Sequence, residues 1–375
     1  MTGVSAGFMT PAALSLITTS FAEGPARNQA LLVYAATAAG GFTLGLVAGG
    51  LLTALDWRWV FFAPLLVAAV LLLAAFRLVP DSPRPPRSPA GFDFAGALAV
   101  TAGMLLLVFT IVRVPDVEWA VTGATLAAGL ALLRAFVAIE RRSAAPLVRL
   151  GILRSGPLVR ANLGALLFVG AFIAFQFVVV LYLQELRGWS ALETGLALIV
   201  VGIDLALAPT VTPRLVSRFG TVPVIFAGMV LAAAGYALFL PLGTHWSYAA
   251  MLPTFVLLGL AFSLAFGALT IAATDGVAQE EQGLAGGLLN VSLQFGAAFG
   301  LAVATAVNVA ATGADSSSGA LLDGYRAALI VPVTATVLGA AITATGLVRY
   351  RREPAPASGA ATAHAVPTLE CADGR

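Results

Sequence analysis

Residues 219–274 read FGTVPVIFAGMVLAAAGYALFLPLGTHWSYAAMLPTFVLLGLAFSLAFGALTIAAT and hold no Asp, Glu, Lys or Arg. A helix crosses the hydrocarbon core of a bilayer with about 20 apolar residues, because roughly 30 Å must be covered at 1.5 Å per residue. The stretch is therefore long enough to cross and return, and His245-Trp246 marks the turn. The same reading extended along the chain finds uncharged or nearly uncharged runs at 1–22, 28–55, 59–76, 94–112, 117–139, 161–184, 194–213, 221–243, 247–274, 283–312 and 327–348. These eleven predicted spans define an all-α polytopic membrane protein. Barrel strands would alternate polar and apolar residues over about 10 positions, and these runs do not.

Composition agrees. The 375 residues are 59% hydrophobic and only 10% charged, too few charges to cover a soluble protein of this size. All twenty basic residues are arginine, and the net charge is +2. No basic patch with interleaved aromatics occurs, so nucleic acid is not expected as a partner. The single cysteine, Cys371, excludes an internal disulfide and any cysteine-based metal site. His245 and His364 show no metal spacing, and no nucleophile can be matched with a base. No enzyme activity, cofactor or metal is expected.

Arginine collects in cytoplasmic loops. With the carboxyl terminus placed inside, sixteen of the twenty arginines fall on the inner side, and Arg58, Arg113, Arg187 and Arg326 fall outside. Trp57, Trp59, Trp119, Trp189 and Trp246 all lie at outer ends, as an interfacial aromatic belt would. The expected setting is a plasma membrane, the bacterial inner membrane, crossed many times with the carboxyl terminus in the cytoplasm.

Residues 80–93, PDSPRPPRSPAGFD, hold five prolines and read as an extended cytoplasmic linker. A second basic inner loop spans 141–160, and the Ala-, Pro- and Ser-rich tail 351–375 is expected to be disordered. The chain thus divides into three spans (1–79), two spans (94–140) and six spans (161–350).

MTGVSAGFMTPAALSLITTSF (1–21), FAEGPARNQALLVY (21–34), GFTLGLVAGGLL (41–52) followed by DWRWVFF (56–62), LYLQELRGWSALETGLAL (181–198), RLVSRFG (214–220) and GLAGGLLNVSLQFGAAFGLAV (283–303) occur in one order. Together they resemble the fourteen-span drug:proton antiporter branch of the major facilitator superfamily, from Met1 to about Tyr350. The resemblance implies a helical bundle of two six-span halves with a two-span pair inserted between them. Three, two and six spans match that plan with the first three missing, so the amino-terminal half is expected to be incomplete. Thr2-Gly3 stands where the family usually has Gln-Gly, which places that span's conserved arginine before Met1.

Asp204 is the sharpest functional candidate. It is the eleventh residue of the run 194–213, near the bilayer midplane. A helix-centre aspartate costs about 2.5–3.5 kcal/mol on the insertion scale. Desolvation favours the uncharged form of a carboxyl. Asp204 is expected either to take part in proton coupling or attraction of a cationic substrate, or to be satisfied by neighbouring hydroxyls and amides. Pro209 removes the bond to the Leu205 carbonyl and Pro213 repeats the effect, so a kinked, cavity-lining helix is expected.

Gly41, Gly45 and Gly49 share one helix face with Gly50 beside them, a spacing that lets helix backbones approach closely. The resemblance makes them the antiporter-type glycine motif, whose usual proline is replaced here by Leu46. Gln176, Asn290 and Gln294 either line a cavity or bridge helices. Gly283, Gly286, Gly287, Gly296 and Gly300 favour close packing of their segment. Arg214, Arg218 and Gly220 match the family's short cytoplasmic loop, and the two arginines also serve as inner-leaflet anchors. Glu185 and Glu193 are expected to be solvated charges at an outer end.

The expected function is a secondary transporter: proton-coupled efflux of drugs or other small amphipathic or cationic compounds by alternating access. Its expected partners are a small-molecule substrate, protons and the lipid bilayer. The alternative is a non-transporting membrane fragment, from a truncated gene or a mis-set start codon, and this chain alone is expected not to transport.

Overall fold

The structure, a computed structural model, describes residues 12–13, 16–18, 20–22, 24–78, 93–113, 118–143, 146–148, 151–278, 281–313 and 317–350. The expected first span 1–22 lies mostly outside these residues, as do the linker apart from Asp93 and the tail. Among the described residues the regular structure is entirely helical. The long helices are α1 (Pro25–Leu55), α2 (Trp59–Leu78), α3 (Phe94–Arg113), α4 (Trp119–Glu140) and α5 (Gly156–Leu181). A broken segment carries α6 (Ala191–Leu198) and α7 (Thr212–Phe219), and α8 (Thr221–Phe239), α9 (Tyr248–Thr274), α10 (Gln282–Thr312) and α11 (Ser318–Tyr350) follow. Eight described helices are long and apolar enough to cross a membrane. α1, at 31 residues, has the length as well.

Helix starts follow local chemistry. α5 begins at Gly156, ahead of its apolar run, because Pro157 sits in the first turn where its missing N–H leaves no donor unused. α6 starts with a capping box: the Ser190 hydroxyl accepts from the Glu193 N–H while the Glu193 carboxylate accepts from the Ser190 N–H. Gly220 ends α7 and opens α8 at φ +84°, a left-handed backbone that favours glycine, and its N–H donates to the Val216 carbonyl.

The core lies among α5, α8, α9, α10 and α11, which pack on one another. Phe175 of α5 meets Tyr236, Phe239 and Phe255 with ring centroids 5.1, 5.2 and 6.5 Å apart. Phe168 and Phe172 close on Phe262 at 4.8 and 4.4 Å. α5 crosses α10 most tightly. A Cβ on Gly296 would lie 2.9 Å from Leu166 Cα, one on Gly300 would lie 2.7 Å from Gly170 Cα, and one on Gly170 would lie 2.7 Å from the Gly296 carbonyl oxygen. Backbones this close admit only glycine.

α3 and α4 form a separate hairpin that touches α10 through α3. Its own seam repeats the small-residue device: a Cβ on Gly103 would lie 3.2 Å from the Gly129 carbonyl oxygen. α2 borders α1, and no residue of its apolar window is buried. At the Trp246 end of the bundle, Arg187 donates to the carbonyl of Trp246 and to the Tyr182 hydroxyl, and Arg326 Nε donates to the Leu242 carbonyl at 2.9 Å.

Candidate functional site

The run 194–213 is not one kinked helix. α6 ends at Leu198, a 3-10 turn covers Ile199–Ile203, one helical turn covers Asp204–Leu207, and turns lead through Pro209 to α7. Two causes are visible in the residues. Ile199, Val200 and Val201 are β-branched, which lowers helix propensity, and Pro209 has no N–H to return to Leu205. Pro213 sits in the first turn of α7, so it starts a helix instead of bending one.

Packing holds the break open at three levels of α9. The Tyr248 hydroxyl donates to the Ala197 carbonyl at 3.0 Å. Gly259 cradles the 3-10 turn, where a Cβ would lie 2.7 Å from the Val201 carbonyl oxygen. The buried Thr212 hydroxyl donates to the Ser263 carbonyl at 2.7 Å. On its other side the segment packs against α1, where a Cβ on Gly50 would lie 2.9 Å from Leu192 Cα. Asp204 is 3% exposed, and the turn that carries it contacts both α1 and α9. The polypeptide contacts satisfy its backbone carbonyl, which accepts from the Ala208 N–H at 2.8 Å.

Of the four motif glycines, Gly50 makes the close contact. The sites a Cβ would take on Gly41, Gly45 and Gly49 are open space, so the face expected to pack tightly carries no protein neighbour among the described residues. Gln176 and Asn290 are half-buried and Gln294 is exposed. The interhelical bridge between α5 and α10 is made elsewhere: the Ser292 hydroxyl donates to Asn162 Oδ1 at 3.0 Å, and both residues are buried. Arg214 and Arg218 are exposed, with the Arg218 guanidinium 5.2 Å from the Phe219 ring centroid.

One polar cluster was not singled out from the sequence. Arg27, in the first turn of α1, is 5% exposed, and its Nη2 donates to Gln282 Oε1 at 2.6 Å and to the Thr274 carbonyl at 3.2 Å. Gln282, 2% exposed, donates from Nε2 to the carbonyls of Thr274 and Val277. A cation at a helix amino terminus opposes that helix's dipole, but here the guanidinium faces the carboxyl-terminal carbonyls of α9, where positive charge is favoured. The signal available was an arginine two residues past Gly24-Pro25, at a helix start where acids are preferred. The cluster ties α1 to the α9–α10 turn at the end opposite Tyr248.

Many secondary transporters carry an interrupted helix between packed helix groups. Residues 1–301 match the sequence pattern of the Major Facilitator Superfamily. The chain belongs to that superfamily. It is accordingly a multi-pass membrane transporter protein and not an enzyme. The chain is 32% identical over 380 residues to the puromycin resistance protein pur8 of Streptomyces alboniger, covering 96% of this chain and 74% of that one. It is 34% identical over 307 residues to the lincomycin resistance protein of Streptomyces lincolnensis, covering 80% and 62%. Among solved structures, the human organic anion transporter MFSD10 shares the fold, with a TM-score of 0.59 at 20% identity over 88% of this chain and 66% of that one. The chain therefore spans between 62% and 74% of the length of these relatives.

Proposed function

We propose that this superfamily chain belongs to a fourteen-span, proton-coupled exporter of small amphipathic or cationic compounds, with Asp204 as the coupling carboxyl. The carrying observation is a buried acid on one helical turn of a broken segment, wedged between α1 and α9. An intramembrane ionisable residue on an interrupted helix is where substrate and ion sites are built, and alternating access moves the two helix groups around it. Proton binding and cation binding at one carboxyl exclude each other, which is the minimal device for exchange. Resistance and export proteins among the relatives support this reading. The arginine bias supports a cytoplasmic carboxyl terminus in the bacterial inner membrane. The Arg27–Thr274–Gln282 cluster would then close the cytoplasmic side.

Everted vesicles with an acidic interior test the reading. The transporter should accumulate the fluorescent cation ethidium as protons leave, and Asp204→Asn should abolish accumulation. Equal accumulation with and without the pH gradient would remove proton coupling from the account. A second reading, in which these helices do not transport by themselves, is favoured by the open face of Gly41, Gly45 and Gly49 and by the unburied α2. It predicts no accumulation until further helices are supplied on that side.

A further inference from the structure

A cleft lies at the Trp189 end of the broken segment. It holds about 330 Å³ and is lined by Trp189, Glu193, Leu196, Ala197 and Tyr248. That volume falls in the range of small-molecule sites. Glu193, Leu196 and Ala197 recur at helical spacing on α6, and Tyr248 opens α9 opposite them. The two aromatic rings stand 6.5 Å apart, tilted by 42°, and both are half-buried.

The Tyr248 hydroxyl and the Glu193 carboxylate of the cleft are held in place before anything binds. The Tyr248 hydroxyl is fixed on the Ala197 carbonyl, which leaves its ring as the surface presented. Glu193 Oε2 accepts from the Ser190 N–H at 2.8 Å and from the Ser190 hydroxyl at 2.9 Å. These bonds hold the Glu193 carboxyl, at the exposed amino-terminal end of α6, below the usual carboxylate range, so it carries its charge at neutral pH. Two aromatic rings lining one cleft with a fixed carboxylate supply the groups that recognise ammonium-type cations.

We infer that this cleft binds organic cations, as a station between Asp204 and the outer aqueous phase. The site's role in export rests on the proposed function; the binding itself does not. The other explanation, an aromatic belt beside a helix cap, gives no preference for a cation.

Equilibrium dialysis of the full chain in nanodiscs of zwitterionic lipid, corrected for empty nanodiscs, separates the two. The probes are N-methylquinolinium and its neutral counterpart quinoline. Wild type should hold the cation at least about tenfold more tightly than quinoline. Glu193→Gln should weaken the cation roughly fivefold and leave quinoline unchanged, and glutamine still completes the capping box, so α6 keeps its start. Trp189→Leu should weaken the cation to a similar degree, and Asp204→Asn should leave it bound. Equal affinity for the two probes, or an unchanged cation affinity in Glu193→Gln, overturns the inference. Cation binding without pH-driven accumulation supports the cleft and counts against the export reading. Accumulation with unchanged binding in Glu193→Gln counts against the cleft alone.

Discussion

α2 and α5 are equally apolar in mean hydropathy, yet 56% of the most apolar 18-residue window in the α5 span is buried and none of that of α2 is. Hydropathy reports that a segment prefers hydrocarbon, and lipid satisfies that preference as well as protein does. Packing against protein needs something else. α5 supplies it with Gly164, Gly170, four buried alanines and the buried amide of Asn162 on its contact faces. α2 has no glycine and no polar side chain between Trp59 and Phe76. Glycine and one satisfied hydrogen bond, not extra hydrophobicity or alanine, separate the two helices, since α2 has five alanines of its own.

Substitutions graded by position can break or sharpen this contrast, each read from reversible unfolding in mixed micelles. The largest effect is expected for Gly296→Leu. Its side chain would enter the space held by the Leu166 backbone, and the loss should be about 3 kcal/mol or more, or failure to fold. Arg27→Gln comes next at about 2 kcal/mol, since a charged donor to two buried acceptors is lost. Combined with Gln282→Leu, its effect should be clearly less than additive, because the two side chains share one network. Asn162→Leu removes the α5–α10 bridge and should cost about 1 kcal/mol, the modest value of hydrogen bonds between membrane helices. Leu72→Ala on α2 should stay within roughly 0.5 kcal/mol, because no protein cavity is left behind. A cost for Leu72→Ala equal to that of Asn162→Leu would show that α2 packs against protein after all.

The all-helical class and the eight long apolar helices were legible because hydropathy belongs to each segment by itself. The contacts were less legible because they belong to pairs. Gly41, Gly45, Gly49 and Gly50 look alike in sequence, and only the position of Leu192 singles out Gly50. Pro209 announced an interruption near Asp204. The 3-10 turn before it has a local signal in Ile199, Val200 and Val201, but its close seat on Gly259, more than fifty residues away, has none. Arg27 reads as one more inner-side arginine until the Thr274 carbonyl and Gln282 are placed beside it. The cost attached to Asp204 was legible from depth and charge alone, since a carboxyl in the middle of an apolar run has a cost wherever the run packs.

The central claim is that Asp204 gives up a proton when a cationic substrate binds. Proton release answers it directly: a cationic substrate is added to the purified protein in weakly buffered detergent at neutral pH, with a pH indicator following the bulk. The account predicts release from wild type and none from Asp204→Asn under conditions where both still bind the cation at the outer cleft. Equal release from the two proteins would contradict it.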